Sequence, residues 1–337
     1  MLQLRVESIN WETADTATFL LTEVSGRKID YKAGQFITLV FTHRDEEIRR
    51  SYSLSSSPDE AQLAITVKRV ANGEISRFML AKIKPGDIIQ AVEPAGRFTA
   101  TGFYVAKDIV FFAAGSGIVP VFSQLKYILA RAGESKLTLF YSSQDRTSIL
   151  FSDSLNHLQK QHPERLKIIH LLSNEGNRLN NVNTEQLVKR FVSFELVNAE
   201  FYLCGPFAYM RMVRLTLLFM GIDNHNIRKE NFVLNTVPVP GGYINYPPRY
   251  VRIKFNNEIH DLMVGENQTI LQAALQNNLH LPYSCRAGIC SACTATCISG
   301  RIDMPVNDVL TDLDLANGLV LTCTGHPVSD DVVIEFL

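Results

Sequence analysis

Four cysteines near the C-terminal end, Cys285, Cys290, Cys293 and Cys323, are spaced C-x4-C-x2-C and then, after 29 intervening residues, a fourth. The first three lie in Pro282-Tyr283-Ser284-Cys285-Arg286-Ala287-Gly288-Ile289-Cys290-Ser291-Ala292-Cys293. Thiolates at these spacings hold the two irons of a plant-type 2Fe-2S cluster, which moves one electron at a time. A loop around such a cluster must bring three sulfurs to one small object and turn backbone N–H groups toward it. The cluster is net negative, reduction adds charge, and those donors stabilise the reduced form. Gly288 lets the backbone come close or take a positive φ, and Arg286 adds positive charge nearby. A zinc site gathers its ligands as two close pairs, whereas here the fourth cysteine stands alone. A disulfide framework belongs to short secreted chains. Cys297 alternates with Cys293 and Ala295 along a strand-like run and reads as a small buried core residue.

Two further constellations have chemical potential. Arg50-Ser51-Tyr52-Ser53 presents a guanidinium fork for phosphate, an aromatic face two residues on, and a hydroxyl beside it. Gly115-Ser116-Gly117-Ile118-Val119-Pro120 follows an apolar run and opens an amphipathic stretch. Small residues and free N–H groups at a helix start suit a pyrophosphate. Pro120 replaces the third glycine of the dinucleotide fingerprint, and its ring suits a first helical position. Taken alone, the glycine pair is also what a plain tight turn needs, and Arg50 is what an exposed edge strand carries.

The elements that must position these groups change character along the 337 residues, a length that fits two or three domains. With 46% apolar and 20% charged residues the chain can bury ordinary cores. Up to about residue 100, alternating runs such as Phe36–Phe41, Ser51–Leu54 and Leu63–Val70 are separated by turns at Asn72-Gly73, Pro85-Gly86-Asp87 and Ala95-Gly96. They predict an antiparallel β-barrel. From about 105 the pattern becomes strand then helix. Ile109–Ala114, Leu137–Tyr141, Leu166–Leu172 and Phe201–Cys204 are strands, and Val121, Phe122, Leu125, Ile128 and Leu129 line one side of a helix that Gly133 closes as its C′ residue. This is a doubly wound α/β unit. Residues 235–249 hold four prolines and two glycines without any period and read as a tether.

Net charge is −1, but unevenly placed: residues 250–337 carry four Lys/Arg and ten Asp/Glu, or −6, and residues 1–249 carry 29 and 24, or +5. That asymmetry fits electrostatic docking, and equally a solvated acidic surface kept for solubility. The start, Met1-Leu2-Gln3-Leu4-Arg5, has no basic region followed by an apolar stretch and cleavage site, so no signal peptide is expected. No run of 18 or more apolar residues predicts a membrane span. Thiols reserved for metal fit a cytoplasmic protein, and neither nucleic acid nor membrane is expected as a partner.

Together these motifs resemble one family over essentially the whole chain. Residues 1–102 (FAD-binding β-barrel) and 103–234 (NAD(P)-binding α/β domain) resemble a ferredoxin–NADP reductase-type flavoprotein. After the tether 235–249, residues 250–337 resemble a plant-type 2Fe-2S ferredoxin, which implies a β-grasp (α+β) fold. The order is similar to the reductase component of phenylacetyl-CoA epoxidase and related oxygenase reductases. The resemblance implies that Tyr52 packs on the isoalloxazine of FAD, with Ser53 near its reactive nitrogen. It assigns Arg50 and Ser76 to the pyrophosphate, and Val67-Lys68-Arg69 with Gly73 and Ser76 to the ribityl and diphosphate. Gly115, Ser116 and Gly117 with Cys204-Gly205-Pro206 match the nicotinamide-nucleotide motifs, and Cys204 borders the nicotinamide. Relatives often carry an arginine directly after a small residue and asparagine behind the second strand of the nucleotide domain. Here Tyr141-Ser142-Ser143-Gln144-Asp145-Arg146 puts Gln144 in that region and Arg146 further along, which leaves NADH against NADPH open.

The implied function follows from electron counting. A nicotinamide delivers two electrons together as hydride, whereas a 2Fe-2S cluster accepts one, and a flavin splits the pair. We therefore expect an NAD(P)H-dependent oxidoreductase that passes electrons through FAD and the cluster to a protein acceptor such as an oxygenase or hydroxylase component. A free electron carrier or a desaturase is an alternative acceptor, a redox-sensing module an alternative role, and FMN an alternative flavin.

Overall fold

The computed structural model describes residues 1–43, 46–100, 102–232 and 245–336. Most of the expected tether, 235–244, lies outside the described residues. The chain divides into two compact units, Met1–Val233 and Leu234–Leu337.

The first unit begins with β1 (Leu2–Thr13), β2 (Thr16–Glu23), β3 (Phe36–His43), β4 (Glu46–Ser53), β5 (Leu63–Lys68), helix α1 (Glu74–Lys82) and β6 (Ile88–Ala95). The six strands form an antiparallel sheet in the order β4-β3-β6-β1-β2-β5. An antiparallel bridge between Leu54, just past β4, and Ile65 on β5 joins the two ends of that order and closes it as a barrel. The period-2 logic is plain in β1, where Leu2, Leu4 and Val6 are buried and Gln3, Arg5 and Glu7 face solvent. Asn72-Gly73, which reads as a simple turn, leads straight into α1, with Gly73 at its N-cap.

The same unit continues with β7 (Asp108–Ala114), α2 (Ile118–Leu129), β8 (Lys136–Ser143), α3 (Ser152–Gln161), β9 (Leu166–Leu172), α4 (Asn181–Phe191), β10 (Glu200–Cys204), α5 (Phe207–Phe219) and β11 (Ile227–Glu230). Its five parallel strands lie in the order β11-β10-β7-β8-β9. From β7 the chain runs outward through β8 and β9, then returns to the other side for β10 and β11. The order therefore reverses between β7 and β10, and doubly wound sheets bind ligands beyond the carboxyl ends of the strands at such a point. Along β7, Ile109, Phe111 and Ala113 join the core formed with α2 and α3, while Val110 and Phe112 join the core formed with α4 and α5. Burial on both faces explains why the strand reads as an unbroken apolar run.

Two local expectations need correction. Gly133 does not close α2: the helix ends at Leu129 with Ala130 as its cap, and Gly133 lies where a Cβ would meet the Phe103 carbonyl at 2.9 Å. Pro120 is the third residue of α2, not the first. It is still in the first turn, where a missing N–H costs no intrahelical bond.

The second unit contains β12 (Arg249–Phe255), β13 (Glu258–Val264), α6 (Ile270–Gln276), β14 (Thr294–Ser299), β15 (Ile302–Asp303), α7 (Asp312–Ala316), β16 (Leu319–Leu321), β17 (His326–Pro327) and β18 (Val332–Glu335). A mixed sheet in the order β13-β12-β18-β14-β16 wraps α6, whose Ile270, Leu271, Ala273 and Ala274 fill the core with Val251, Ile253, Ala295 and Ile334. Thr269 and Gln272 form a capping box that starts α6. Cys297, expected to be buried, is only half-buried; it packs at the edge of this core, and its Sγ donates to the Ser299 carbonyl at 3.2 Å. Among the described residues no helix is long and apolar enough to cross a membrane.

Candidate functional site

Two sites emerge, one in each unit. The first lies at the switch point of the parallel sheet. β7 delivers Gly115-Ser116-Gly117 as a single 3-10 turn that runs directly into α2. β10 delivers Cys204-Gly205-Pro206, paired in register with Ala113 on β7 and with Glu230 on β11. The two turns touch: a Cβ on Gly117 would fall 2.1 Å from the Cys204 carbonyl oxygen and 2.9 Å from the Gly205 nitrogen. Only glycine allows this approach. Tyr141 on β8 steadies the turn, with its hydroxyl donating to the Gly115 carbonyl at 3.2 Å.

The barrel reaches the same place. Ser53, the last residue of β4, is buried, and its hydroxyl donates to Glu230 Oε2 at 3.2 Å. The motif residues Ser53 and Cys204 thus both meet Glu230, which no sequence motif marks, and the glycine turn meets Cys204. Burial pushes the Glu230 carboxyl up to about 8, and the hydrogen bond from Ser53 pulls part of that back. Burial, then the charge of Glu230, pushes the Cys204 thiol well above its ordinary value. A thiol so placed stays protonated and acts by its bulk and polarisability rather than as a nucleophile. Beside Ser53, burial pushes the Tyr52 phenol up to about 12 against the pull of Arg50, so it remains a neutral ring.

The other expected flavin residues lie on β4 (Arg50) and around β5 and α1. Arg50 is exposed and donates to the Arg49 carbonyl at 2.7 Å. Val67 is fully buried in the barrel core, whereas Lys68 and Arg69 are exposed. Ser76 is buried, and its hydroxyl accepts from the Val70 N–H at 3.1 Å and reaches the Gly73 carbonyl at 3.4 Å. The Ser76 side chain therefore shapes the Val70–Gly73 turn. No side chain caps the start of α1, and a helix start of this kind is where backbone N–H groups donate to a pyrophosphate. Arg146, at the far end of β8, pairs through Nε with Glu175 Oε1 at 3.1 Å.

The second site is the cysteine loop between α6 and β14 and the turn after β16. The thiols of Cys285, Cys290, Cys293 and Cys323 lie close enough to act on one another's acidity, Cys285 with Cys290 and Cys323, and Cys323 with Cys293. The neighbouring thiols, Cys290 first and then Cys323, hold the Cys285 thiol far below its ordinary value. Backbone N–H groups also face the sulfurs: Ala287 to Cys285 and Cys285 to Cys290, each at 3.4 Å, with Ala292 facing Cys290 and Gly288 facing Cys323. Gly288 has φ +73°, and a Cβ there would meet the Val306 carbonyl at 2.6 Å. Arg286 is held over Tyr283, donating to its hydroxyl at 2.6 Å. Among the described residues no three His, Cys, Asp or Glu side chains converge as a single ion requires. Four cysteines inside a shell of amide donors fit a two-iron cluster, whose binding releases the thiol protons.

Comparison with known proteins agrees with this division. Residues 3–100 match the oxidoreductase FAD-binding domain, 111–215 the oxidoreductase NAD-binding domain, and 253–328 the 2Fe-2S iron-sulfur cluster binding domain. The chain is 32% identical to the 3-ketosteroid-9-alpha-monooxygenase ferredoxin reductase component of Rhodococcus rhodochrous, covering 99% of this chain and 96% of that protein. It is 28% identical to a component of the 1,2-phenylacetyl-CoA epoxidase of Escherichia coli, covering 99% and 97%. Among solved structures, phthalate dioxygenase reductase shares the fold with a TM-score of 0.62 at 24% identity, covering 99% of this chain and 98% of that one. An intact type IV self-sufficient cytochrome P450 monooxygenase aligns with a TM-score of 0.74 at 22% identity, covering 99% of this chain, which spans 41% of that longer one.

Proposed function

We propose a function from one premise: this chain belongs to the family of flavoprotein reductases that carry an FAD-binding, an NAD-binding and a 2Fe-2S domain in one polypeptide, among them the ferredoxin reductase components of monooxygenases. It takes hydride from a nicotinamide nucleotide and delivers single electrons to an oxygenase or hydroxylase component. When bound, the flavin supplies the exchange between two-electron and one-electron chemistry, and the cluster supplies the one-electron outlet.

The observation that carries this reading is the meeting of Ser53, from the barrel, with Glu230, from the parallel sheet. A hydride donor held by the glycine turn and an acceptor held by the barrel have to meet where these two frameworks do. There, Ser53 orients the Glu230 carboxyl by donating to Oε2, and its value of about 8 keeps the carboxyl protonated at neutral pH. Gly117 and Gly205 keep the floor low, so a planar nicotinamide can approach without displacing backbone. Arg50 and the start of α1 hold the flavin phosphates, and Tyr52 offers a neutral ring for stacking. In the second unit, Cys285, Cys290, Cys293 and Cys323 hold the cluster, and the surrounding amides favour its reduced form.

Anaerobic titration of the purified protein with NADH and NADPH, read by visible spectrum and EPR, tests this directly. Bleaching of the flavin followed by the EPR signal of a reduced 2Fe-2S cluster is the expected result. A flavin that bleaches while the cluster stays oxidised would refute the electron path. Reconstitution with candidate acceptor proteins separates an oxygenase partner from a free carrier or a desaturase.

A further inference from the structure

The loop after β8 carries chemistry that hydride transfer does not use. In a doubly wound sheet with the pyrophosphate at the β7 turn, the adenosine ribose lies toward the end of the neighbouring strand, here β8. An acidic residue there accepts from a ribose 2′-hydroxyl, and an arginine accommodates a 2′-phosphate. The end of β8 reads Ser143-Gln144-Asp145-Arg146, and the structure shows how each is engaged.

Asp145 is spent locally. Its Oδ1 accepts from the Ser148 N–H at 2.9 Å and the Thr147 hydroxyl at 2.8 Å, capping the short turn Arg146–Ser148. The hydrogen bond from Thr147, above all, holds the carboxyl below its ordinary value, so it is a fixed negative charge at neutral pH. Gln144 is neutral. Arg146 is the cation of this loop, 77% exposed at its side chain, and its Nε pairs with Glu175 Oε1 at 3.1 Å. Glu175 does not reach across by chance. The turn Ser173–Glu175 after β9 is laced to the end of β8, with Asn174 N–H donating to the Gln144 carbonyl at 3.0 Å and the Ser173 hydroxyl donating to the Ser143 carbonyl at 3.3 Å. An isolated surface ion pair is weak, but here the backbone holds the carboxylate beside the guanidinium whether or not the pair itself contributes stability.

We propose that Glu175, paired with Arg146, is the coenzyme selector of this chain. Glu175 turns the guanidinium toward the loop after β9 and sets a negative charge beside the cation that a 2′-phosphate needs, so NADH is taken in preference to NADPH. This rests on the reductase function proposed above. The 2′-phosphate of NADPH brings nearly two negative charges into a loop that already holds Asp145 and Glu175. The 2′-hydroxyl of NADH brings none and needs only a hydrogen-bond acceptor or water.

Steady-state reduction of cytochrome c with NADH and with NADPH, for the full chain and two variants, provides the test. The parent is expected to have the higher kcat/KM with NADH. Glu175→Gln should raise kcat/KM for NADPH by about tenfold, since a hydrogen bond from a charged group to phosphate becomes available, and the change should fall in KM. Adding Arg146→Met to Glu175→Gln should return the NADPH value to that of the parent. A parent that prefers NADPH, or a Glu175→Gln variant whose NADH-to-NADPH ratio stays within about twofold of the parent, overturns the proposal. Failure of the flavin to bleach with either nucleotide overturns the reductase reading and this proposal with it, and the spectrum distinguishes that outcome from a mere absence of preference.

Discussion

Ser53 and Glu230 lie 177 positions apart in sequence, yet the hydroxyl of one donates to the carboxyl of the other at 3.2 Å. This hydrogen bond ties the last residue of β4 to the last residue of β11. Ser53→Ala removes a donor that draws the carboxyl downward, so Glu230 climbs further above about 8 and loses its orientation. Hydride transfer should slow by up to about tenfold, the worth of one hydrogen bond in a water-poor site. Stopped-flow bleaching of the flavin at saturating NADH measures this step, and an unchanged rate would show that Ser53 merely packs.

Glu230 also makes stability depend on pH, with a definite sign. Its ordinary value is 4.5 and its folded value about 8. As pH rises, the unfolded state gives up this proton first, so unfolding becomes progressively favoured from pH 4.5 to about 8. Glu230→Gln abolishes that term. Urea unfolding of the parent without added nucleotide should lose on the order of 2 kcal/mol between about pH 5 and about pH 9 that the Gln variant retains. Parallel stability curves for the two proteins would contradict the burial of this carboxyl.

How much of this is legible in the sequence depends on whether the determinant is local. The cysteine spacing is local, because three sulfurs must reach one object from one loop, and the apolar run Ile109–Ala114 is local, because both faces of β7 are covered. Glu230 is not legible. It ends a four-residue strand, Ile227–Glu230, too short to show a period, and only the parallel pairing with β10 puts it opposite Cys204. Ser76 shows the converse: the motif draws attention to its hydroxyl, but the Val70–Gly73 turn uses it internally. The place of Gly133 depends on Phe103, thirty positions earlier, and no helix-end rule contains that information.

Gly117 is where the two nucleotide turns meet. Gly117→Ala puts a methyl 2.1 Å from the Cys204 carbonyl, against the Cys204–Gly205 backbone. The turns must separate, at a cost of roughly 1–3 kcal/mol for overpacking. The thermal midpoint should fall, and KM for the nicotinamide nucleotide should rise more than kcat changes. Parent-like values of both would mean that the strands carrying the turns part freely.

Cys290 separates the two halves of the reaction. Cys290→Ser leaves three thiols where four are needed, so iron and acid-labile sulfide should fall well below the parent content, and the EPR signal should be lost. Flavin bleaching by NADH should persist, because the four cluster cysteines all lie in the second unit and the nucleotide turns in the first. Electron delivery to a protein acceptor should drop to the slow rate at which the flavin alone can supply it. Full delivery by an iron-depleted Cys290→Ser protein would remove the cluster from the path.

Tyr246, just before β12, fixes the beginning of the second unit to the segment that carries the fourth cysteine. Its ring stacks on His326 at 4.0 Å between centroids and 5° between planes, and its hydroxyl donates to Asp303. Its backbone exchanges hydrogen bonds with Asn267, as Tyr246 N–H donates to the Asn267 side chain at 3.0 Å and Asn267 N–H to the Tyr246 carbonyl at 2.9 Å. His326 in turn bonds the Gln268 carbonyl through Nδ1 at 2.9 Å and follows Cys323 by three residues. Tyr246→Phe loses the hydroxyl bond but keeps the stack, whereas Tyr246→Leu loses both, and an aromatic pair contributes about 0.5–1.5 kcal/mol beyond its buried area. Thermal loss of the cluster's visible circular dichroism should therefore shift to lower temperature in the order parent, Phe, Leu. The Phe and Leu variants melting together would assign the contribution to the Asp303 bond, and neither shifting would mean that this stack contributes nothing to holding the cluster unit together.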